Sequence, residues 1–262
     1  MSSLEDGFIA YNNLKSLEKA LIAGYRGLFL DSCDCKIDGI NFCHSFCFAG
    51  QRKSLPVFNS IVKFMKENPN EVLVIELQIN DDSLSELWEI APSAFKNYLY
   101  SHPGRNAQWP TLNTMINSGK RIIVFQHNGP NCDKSGACPK GVHNTWTYAF
   151  ETPYDLRGAD ELLDSSKSCS IRTGTKKNNS FMISNHFATN DIGFPSETVS
   201  KTVNTETALR TRLDSCHKLI GKRTNLLVVD FWSLGDVVKV IKSYNSKLTS
   251  GRKLSSSTES TS

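Results

Sequence analysis

Apolar positions along this chain alternate between a helical and a strand rhythm. Leu14, Leu17, Ala20 and Leu21 recur at helical spacing until Gly24 stops them. Arg26 to Asp31 then reads as a strand, with Phe29 and Asp31 on one face and Leu28 and Leu30 on the other. Pro56 opens a helix through Val57, Phe58, Ile61, Val62 and Met65, and Asn68-Pro69 ends it. A strand over 71–78 follows. The next helix carries Leu84, Leu87 and Trp88, is interrupted by Pro92 and resumes to Tyr100. A short helix from Thr111 to Asn117 leads to a strand from Arg121 to His127, where Ile123, Phe125 and His127 share a face.

The second half is less regular. Thr145 to Phe150 reads as a short extended run, and 151–179 offer little beyond a short helix at Ala159 to Leu163. Phe181 to Phe187 is a strand, Thr198 to Leu219 one helix, Asn225 to Phe231 an apolar buried-type strand, and Asp236 to Tyr244 a closing helix. Such strand–helix alternation implies an α/β fold with a parallel sheet. Asp31, Glu76, His127 and Asp230 all fall at or near strand ends. In barrels of this class the chemistry sits at those ends.

Length and composition narrow the picture. A chain of 262 residues accommodates one (β/α)8-size domain. We assign 1–247 to that domain and 248–262 to a low-complexity, disordered tail. The 30 basic and 26 acidic residues leave a net charge of +4, too mild to argue for nucleic acid. No run approaches the roughly 18 apolar residues of a membrane span.

Eight cysteines are many for a cytosolic enzyme and favour disulfides in an oxidising compartment. Cys132 pairs naturally with Cys138 and Cys169 with Cys216, leaving Cys33, Cys35, Cys43 and Cys47 to pair among themselves. The rival reading of this last group with His44 is a zinc site, although Cys-x-Cys spacing suits the usual knuckle poorly. Asn178-Asn179-Ser180 is a glycosylation sequon. All of this points to the secretory pathway or the extracellular space. Met1-Ser-Ser-Leu-Glu-Asp, however, has no apolar signal segment.

The stretch from Gly24 to Gly50 organises the candidate chemistry. A strand ending in Asp31 leads into a loop pinned by four cysteines, and a second extended run delivers His44. An acid and an imidazole on neighbouring strand ends suit proton transfer in phosphoryl or acyl chemistry. This block, G-Y-R-G-L-F-L-D, then C-H-S, then F-M-K-E-N-P-N-E-V-L-V-I-E, resembles the phosphatidylinositol-specific phospholipase C X-domain. Its nearest likeness is to single-domain phospholipase C-like phosphodiesterases. The likeness continues through W-P-T-L, K-R-I-I-V-F and N-L-L-V-V-D-F-W, and so covers most of residues 10–245.

That resemblance implies an irregular TIM (β/α)8 barrel and a phosphoric diester hydrolase of lipid metabolism. The substrate would be a phosphoinositide or a related phosphodiester lipid head group, met at a membrane surface. His44, in F-C-H-S, is implied as general acid, and Asp230 as the acid that orients a first catalytic histidine. Asp31 stands where metal-dependent relatives place a Ca2+ ligand. Phe29 replaces their second carboxylate, and Glu76 is shifted by two residues from the usual strand-end acid, whose place Gln78 takes. A Ca2+ or Mg2+ site is therefore an expectation resting on Asp31 and Glu76. His127, His186 and Gln78 are expected to line the substrate pocket, and Arg26 to pair outside the barrel.

The family's first-histidine motif has no counterpart before Arg26. The expectation is a sequence shortened at its start, without its signal, first barrel strand and first histidine. Such a chain would be poorly soluble or oligomeric, through its open strand edges, and essentially inactive. Two other functions compete: a catalytically inactive secreted barrel that binds lipid or glycan, and a zinc-stapled domain of unrelated role.

Overall fold

The computed structural model describes residues 2–44, 46–79, 84–127, 138–190 and 193–256, with side chains as far as Ser246. The first helix, α1 (Leu17–Ala23), ends where Gly24 adopts φ 114°. Strand β1 (Gly27–Asp34) follows and pairs antiparallel with β2 (Ile40–Cys43), which in turn pairs with β3 (Gln51–Lys53). After α2 (Ser54–Glu67), β4 (Leu73–Ile79) pairs parallel with β1. Helices α3 (Leu84–Ile90), α4 (Ser93–Lys96) and α5 (Leu112–Ser118) lead to β5 (Ile122–Gln126) and β6 (Val142–Asn144). These strands form a sheet ordered β3-β2-β1-β4-β5-β6.

One turn of helix, α6 (Thr145–Tyr148), carries the chain to β7 (Ala149–Glu151). Helices α7 (Gly158–Leu163) and α8 (Ser165–Ser168) precede β8 (Phe181–His186). Then come α9 (Glu197–Val203), α10 (Glu206–Ile220), β9 (Leu226–Val229) and α11 (Val237–Ser256). Strands β7, β8 and β9 make a second parallel sheet. Both sheets line one cavity, which makes the fold an irregular TIM-type (β/α) barrel. No ladder joins β9 to β1 among the described residues.

Period-2 alternation divides inside from outside as the sequence predicts. Leu28, Leu30, Leu73, Ile75, Leu77, Ile122 and Val124 are buried under Val57, Phe58, Ile61 and Met65 of α2. Burying a side chain of this kind contributes roughly 1.5–3 kcal/mol. The other faces of β1, β4 and β5 look into the cavity. Arg26, just ahead of β1, lies with its Nε 2.7 Å from Glu71 Oε2 and its guanidinium over the Phe64 ring. Both Arg26 and Glu71 border the cavity, whereas the sequence predicts that Arg26 pairs outside the barrel.

Three expectations change in detail. The extended run at 145–150 is mostly the turn α6, where the Asn144 side chain accepts a hydrogen bond from Trp146 N. The single helix over 198–219 is broken between α9 and α10. There the Asn204 side-chain amide donates to Asp230 O and its own carbonyl accepts from Asp236 N. The closing helix continues past Lys247 to Ser256, while 257–262 lie outside the described residues.

Disulfides join Cys33 to Cys43, Cys35 to Cys47, and Cys169 to Cys216. The four clustered cysteines are thus paired among themselves, which overturns the zinc reading: a disulfide sulfur is not a thiolate ligand. Cys138 is also disulfide-bonded, and its expected partner, Cys132, lies outside the described residues. No helix among the described residues is long and apolar enough to cross a membrane.

Candidate active site

At the C-terminal strand ends, register puts chemistry side by side. Asp31 on β1 stands opposite Gln78 on β4, and His127, just past β5, donates its main-chain N–H to Leu77 O at 2.8 Å. On the other edge Asp31 faces Cys43 of β2, and His44 is the next residue. One layer deeper, Phe29, Glu76 and Phe125 are in register. Asp31, His44, Glu76, Gln78, His127 and Asp230 all line one cavity of about 1670 Å3.

His44 is half-buried, and its Nδ1 lies 2.8 Å from the main-chain oxygen of Ala10. A carbonyl oxygen only accepts, so Nδ1 carries the proton and Nε2 is left for chemistry. The Ala10 loop is tied to the β2–β3 hairpin by Ile9 N to Ala49 O at 2.8 Å. Gly50 permits this approach. It sits at φ 126°, and a Cβ there would fall 2.7 Å from the Phe8 backbone.

A second imidazole is held still more firmly. His127 Nδ1 is 2.9 Å from Glu76 Oε1, which also accepts from Thr145 Oγ1 at 2.6 Å. The rings of Phe29 and Trp146 pack edge-on against it at 5.1 and 4.7 Å. The buried carboxylate fixes the tautomer, and Nε2 is the nitrogen not committed to Glu76.

Asp230 is buried, and burial pushes its carboxyl up to about 7, with the Asn12 side chain opposing and Asp31 adding to the shift. Among the described residues its side-chain partner is Asn12 rather than a histidine. Phe231 turns the chain immediately afterwards at φ 48°, held by its N–H to Asn12 O at 2.7 Å. A left-handed aromatic residue costs on the order of 1–2 kcal/mol.

No cluster of carboxylates among the described residues gathers around a divalent cation position. Ca2+ and Mg2+ need several hard oxygen ligands. Among the described residues no three His, Cys, Asp or Glu side chains group around a metal position. His127 and Thr145 both engage Oε1 of Glu76, its buried Oε2 keeps no hydrogen-bond partner, and Phe29 fills the register position beside it.

The family model described as PI-PLC X 1 matches residues 5–245. The chain belongs to the PI-PLC X family. It is 25% identical over 222 residues to PI-PLC X domain-containing protein 1 of Arthroderma benhamiae, covering 79% of this chain and 70% of that one. An uncharacterized secreted protein of the same fungus is 22% identical over 215 residues, 76% of this chain and 47% of the relative. Phosphatidylinositol-specific phospholipase C from Listeria monocytogenes superposes with a TM-score of 0.60 at 18% identity, covering 91% and 85% of the two chains. That likeness shows the fold.

In this PI-PLC X domain one expected pocket residue is misplaced. His186 does not line the cavity: it is 1% exposed, with Nε2 2.9 Å from Val203 O. Burial and the neighbouring Arg212 lower its pKa to about 4. Alternation along β8 turns Phe181, Ile183 and Asn185 inward instead. Asn185 donates through Nδ2 to Glu151 Oε2 at 3.0 Å, and Glu151 is paired with Arg172 at 2.5 Å. The Arg172 guanidinium lies over Trp146 and Tyr154, at 4.9 and 5.2 Å. Glu151, Tyr154, Arg172 and Asn185 all line the cavity, and sequence reasoning missed all four. Nothing in the unpatterned stretch 151–179 sets Arg172 apart from Arg157 or the neighbouring lysines.

Proposed function

We propose that this PI-PLC X domain hydrolyses a phosphodiester lipid head group, a phosphoinositide or close relative, in lipid metabolism. The observation that carries the reading is the convergence of His44 and the Glu76-held His127 on one cavity at the strand C-terminal ends. A hydroxyl of the head group attacks phosphorus as its proton passes to the uncommitted Nε2 of His127, the bond to the lipid oxygen breaks, and a cyclic phosphate forms. In its doubly protonated form His44, its Nδ1–H anchored on Ala10 O, gives its Nε2 proton to the departing oxygen. Arg172 and His127 contact phosphoryl oxygens and head-group hydroxyls, with Glu151 and Glu76 fixing their orientation.

The same reading places the protein outside the cell or in the secretory pathway. The disulfides, among them the three between described residues, an exposed Asn178 in the sequon and a relative named as secreted support this. Phosphorus NMR of phosphatidylinositol vesicles incubated with the protein tests the reaction. A new cyclic-phosphate resonance is expected. Saturable head-group binding with no new resonance would replace the enzyme by a binding module.

A further inference from the structure

His44 is held from two sides, and each side leads to a disulfide. Cys43, the residue before it, is bonded to Cys33. On the other side its Nδ1 leans on Ala10 O, 2.8 Å away. The Ala10 loop meets the β2–β3 connection at one acceptor: Ala49 O takes Ile9 N at 2.8 Å and Ala10 N at 3.4 Å. Ala49 closes the 3-10 turn Cys47–Ala49, and Cys47 is bonded to Cys35, just past β1. An unbroken line of contacts therefore runs from Cys35 through Cys47, Ala49 and Ala10 to the imidazole.

We propose that the Cys35–Cys47 disulfide is a positioning element of the active site, setting the tautomer and aim of His44 through Ala49 and Ala10. This rests on the phosphodiesterase reading above. It extends that reading to a bond that touches neither the substrate nor the imidazole.

Two observations set this disulfide apart. Between His44 and Gly50 the main chain is bonded within itself by turns: Phe46 N to His44 O, Ala49 N to Phe46 O, and Gly50 N to Cys47 O. These fold the segment without tying it to β1, and the disulfide supplies the tie. The bond is also within reach of solvent. Cys35 and Cys47 are half-buried, whereas Cys33, Cys43, Cys169 and Cys216 are 8% exposed or less. Thiolate attack needs access to sulfur, so a soluble dithiol opens Cys35–Cys47 before the other two disulfides between described residues. In that step the two thiols of the reductant close into its own disulfide, and Cys35 and Cys47 become thiols. The Ala10 loop keeps its fastening on the barrel side, Phe231 N to Asn12 O and Trp232 N to Asn13 Oδ1. Opening the bond thus loosens the aim of His44 without unfolding the site.

Turnover of phosphatidylinositol and a long-range proton–nitrogen NMR spectrum of protein labelled with nitrogen-15 at histidine test the proposal by separate routes. At alkaline pH, where imidazoles are neutral, wild-type His44 should appear as one tautomer, with Nδ1 protonated and Nε2 bare. In the Cys35→Ser/Cys47→Ser double variant both tautomers should appear. Its kcat should fall about tenfold to a hundredfold, with KM within about twofold of wild type. A soluble dithiol should do the same to wild type, with alkylation mapping the new thiols to Cys35 and Cys47. Cys169→Ser/Cys216→Ser should keep kcat and the single tautomer below its own melting temperature. Ile9→Pro, which deletes the N–H given to Ala49 O, should lower kcat as the double variant does, and Ile9→Ala should recover it.

An unchanged tautomer in the double variant, whether kcat holds or falls, would overturn the proposal and leave the phosphodiesterase standing. So would equal losses of kcat in the Cys35/Cys47 and Cys169/Cys216 variants, which would mark a general effect of disulfide removal. A tautomer that responds to the disulfide in a protein that turns over no phosphodiester would do the reverse. If the double variant does not fold, dithiol-treated wild type and the Ile9 pair are read by the same two measurements.

Discussion

His44 and Ala10 are joined by a single contact of 2.8 Å between an imidazole Nδ1 and a main-chain oxygen. That contact decides which nitrogen of His44 holds its proton and which faces the substrate. His44→Ala should lower turnover on phosphatidylinositol on the order of 10²–10⁴-fold. The circular dichroism spectrum and Tm should stay close to wild type, since the ring is half-buried and carries no core packing. Unchanged turnover would remove His44 from the site.

Stability should respond to pH through two buried groups that oppose each other. Asp230 is raised from 3.8 to about 7, so its contribution is complete below 3.8 and drains away as pH climbs through 7. His186 is lowered from 6.5 to about 4, so its contribution is complete above 6.5 and lost as pH falls through 4. Each is worth on the order of 3–4 kcal/mol at most. Between those two values for His186 the two slopes offset. Asp230→Asn should therefore leave a stability that rises with pH across that window, read as Tm against pH. A flat profile in the variant would contradict the burial of His186 as a neutral ring.

The disulfides should differ in weight. Cys169–Cys216 spans 47 residues, against 10 and 12 for the two in the hairpin region. Loop-closure entropy assigns about 4 kcal/mol to the long loop and about 3 to each short one. Paired replacement of Cys169 and Cys216 by Ala should give the largest fall in denaturant midpoint. Peptide mapping of the unreduced protein should recover the Cys33–Cys43, Cys35–Cys47 and Cys169–Cys216 linkages.

Chelation should leave turnover unchanged. The expectation follows from the donors: Glu76 offers only Oε2 beyond its bonds to His127 and Thr145, and Asp31 has no second carboxylate beside it on its face of β1. Loss of activity in EDTA, restored by Ca2+, would show that Asp31 gathers ligands from a substrate or from residues beyond those described.

Legibility tracked how local each signal was. Alternation along β1 told Leu28 and Leu30 from Phe29 and Asp31, because one face is wholly apolar. On β8 the neighbours Asn185 and His186 are both polar, so alternation left their faces open, and the strand lies the other way round. Arg172 sits in a stretch with no period at all. Its position comes from Glu151, Trp146 and Tyr154, contacts invisible in a linear reading. The break at Asn204 is likewise tertiary, since a residue that suits a helix well enough is diverted to Asp230 and Asp236.

The hydrogen bonds from Phe231 N to Asn12 O and from Trp232 N to Asn13 Oδ1 bring together positions separated by about the length of the barrel sequence. During synthesis, Asn13 leaves the ribosome long before Trp232 exists. At about 5–20 residues per second the wait is roughly ten to forty seconds. Through that interval the loop that anchors His44 has no second wall, and the growing sheet carries open edges. The pocket is therefore completed only after β9 has been translated.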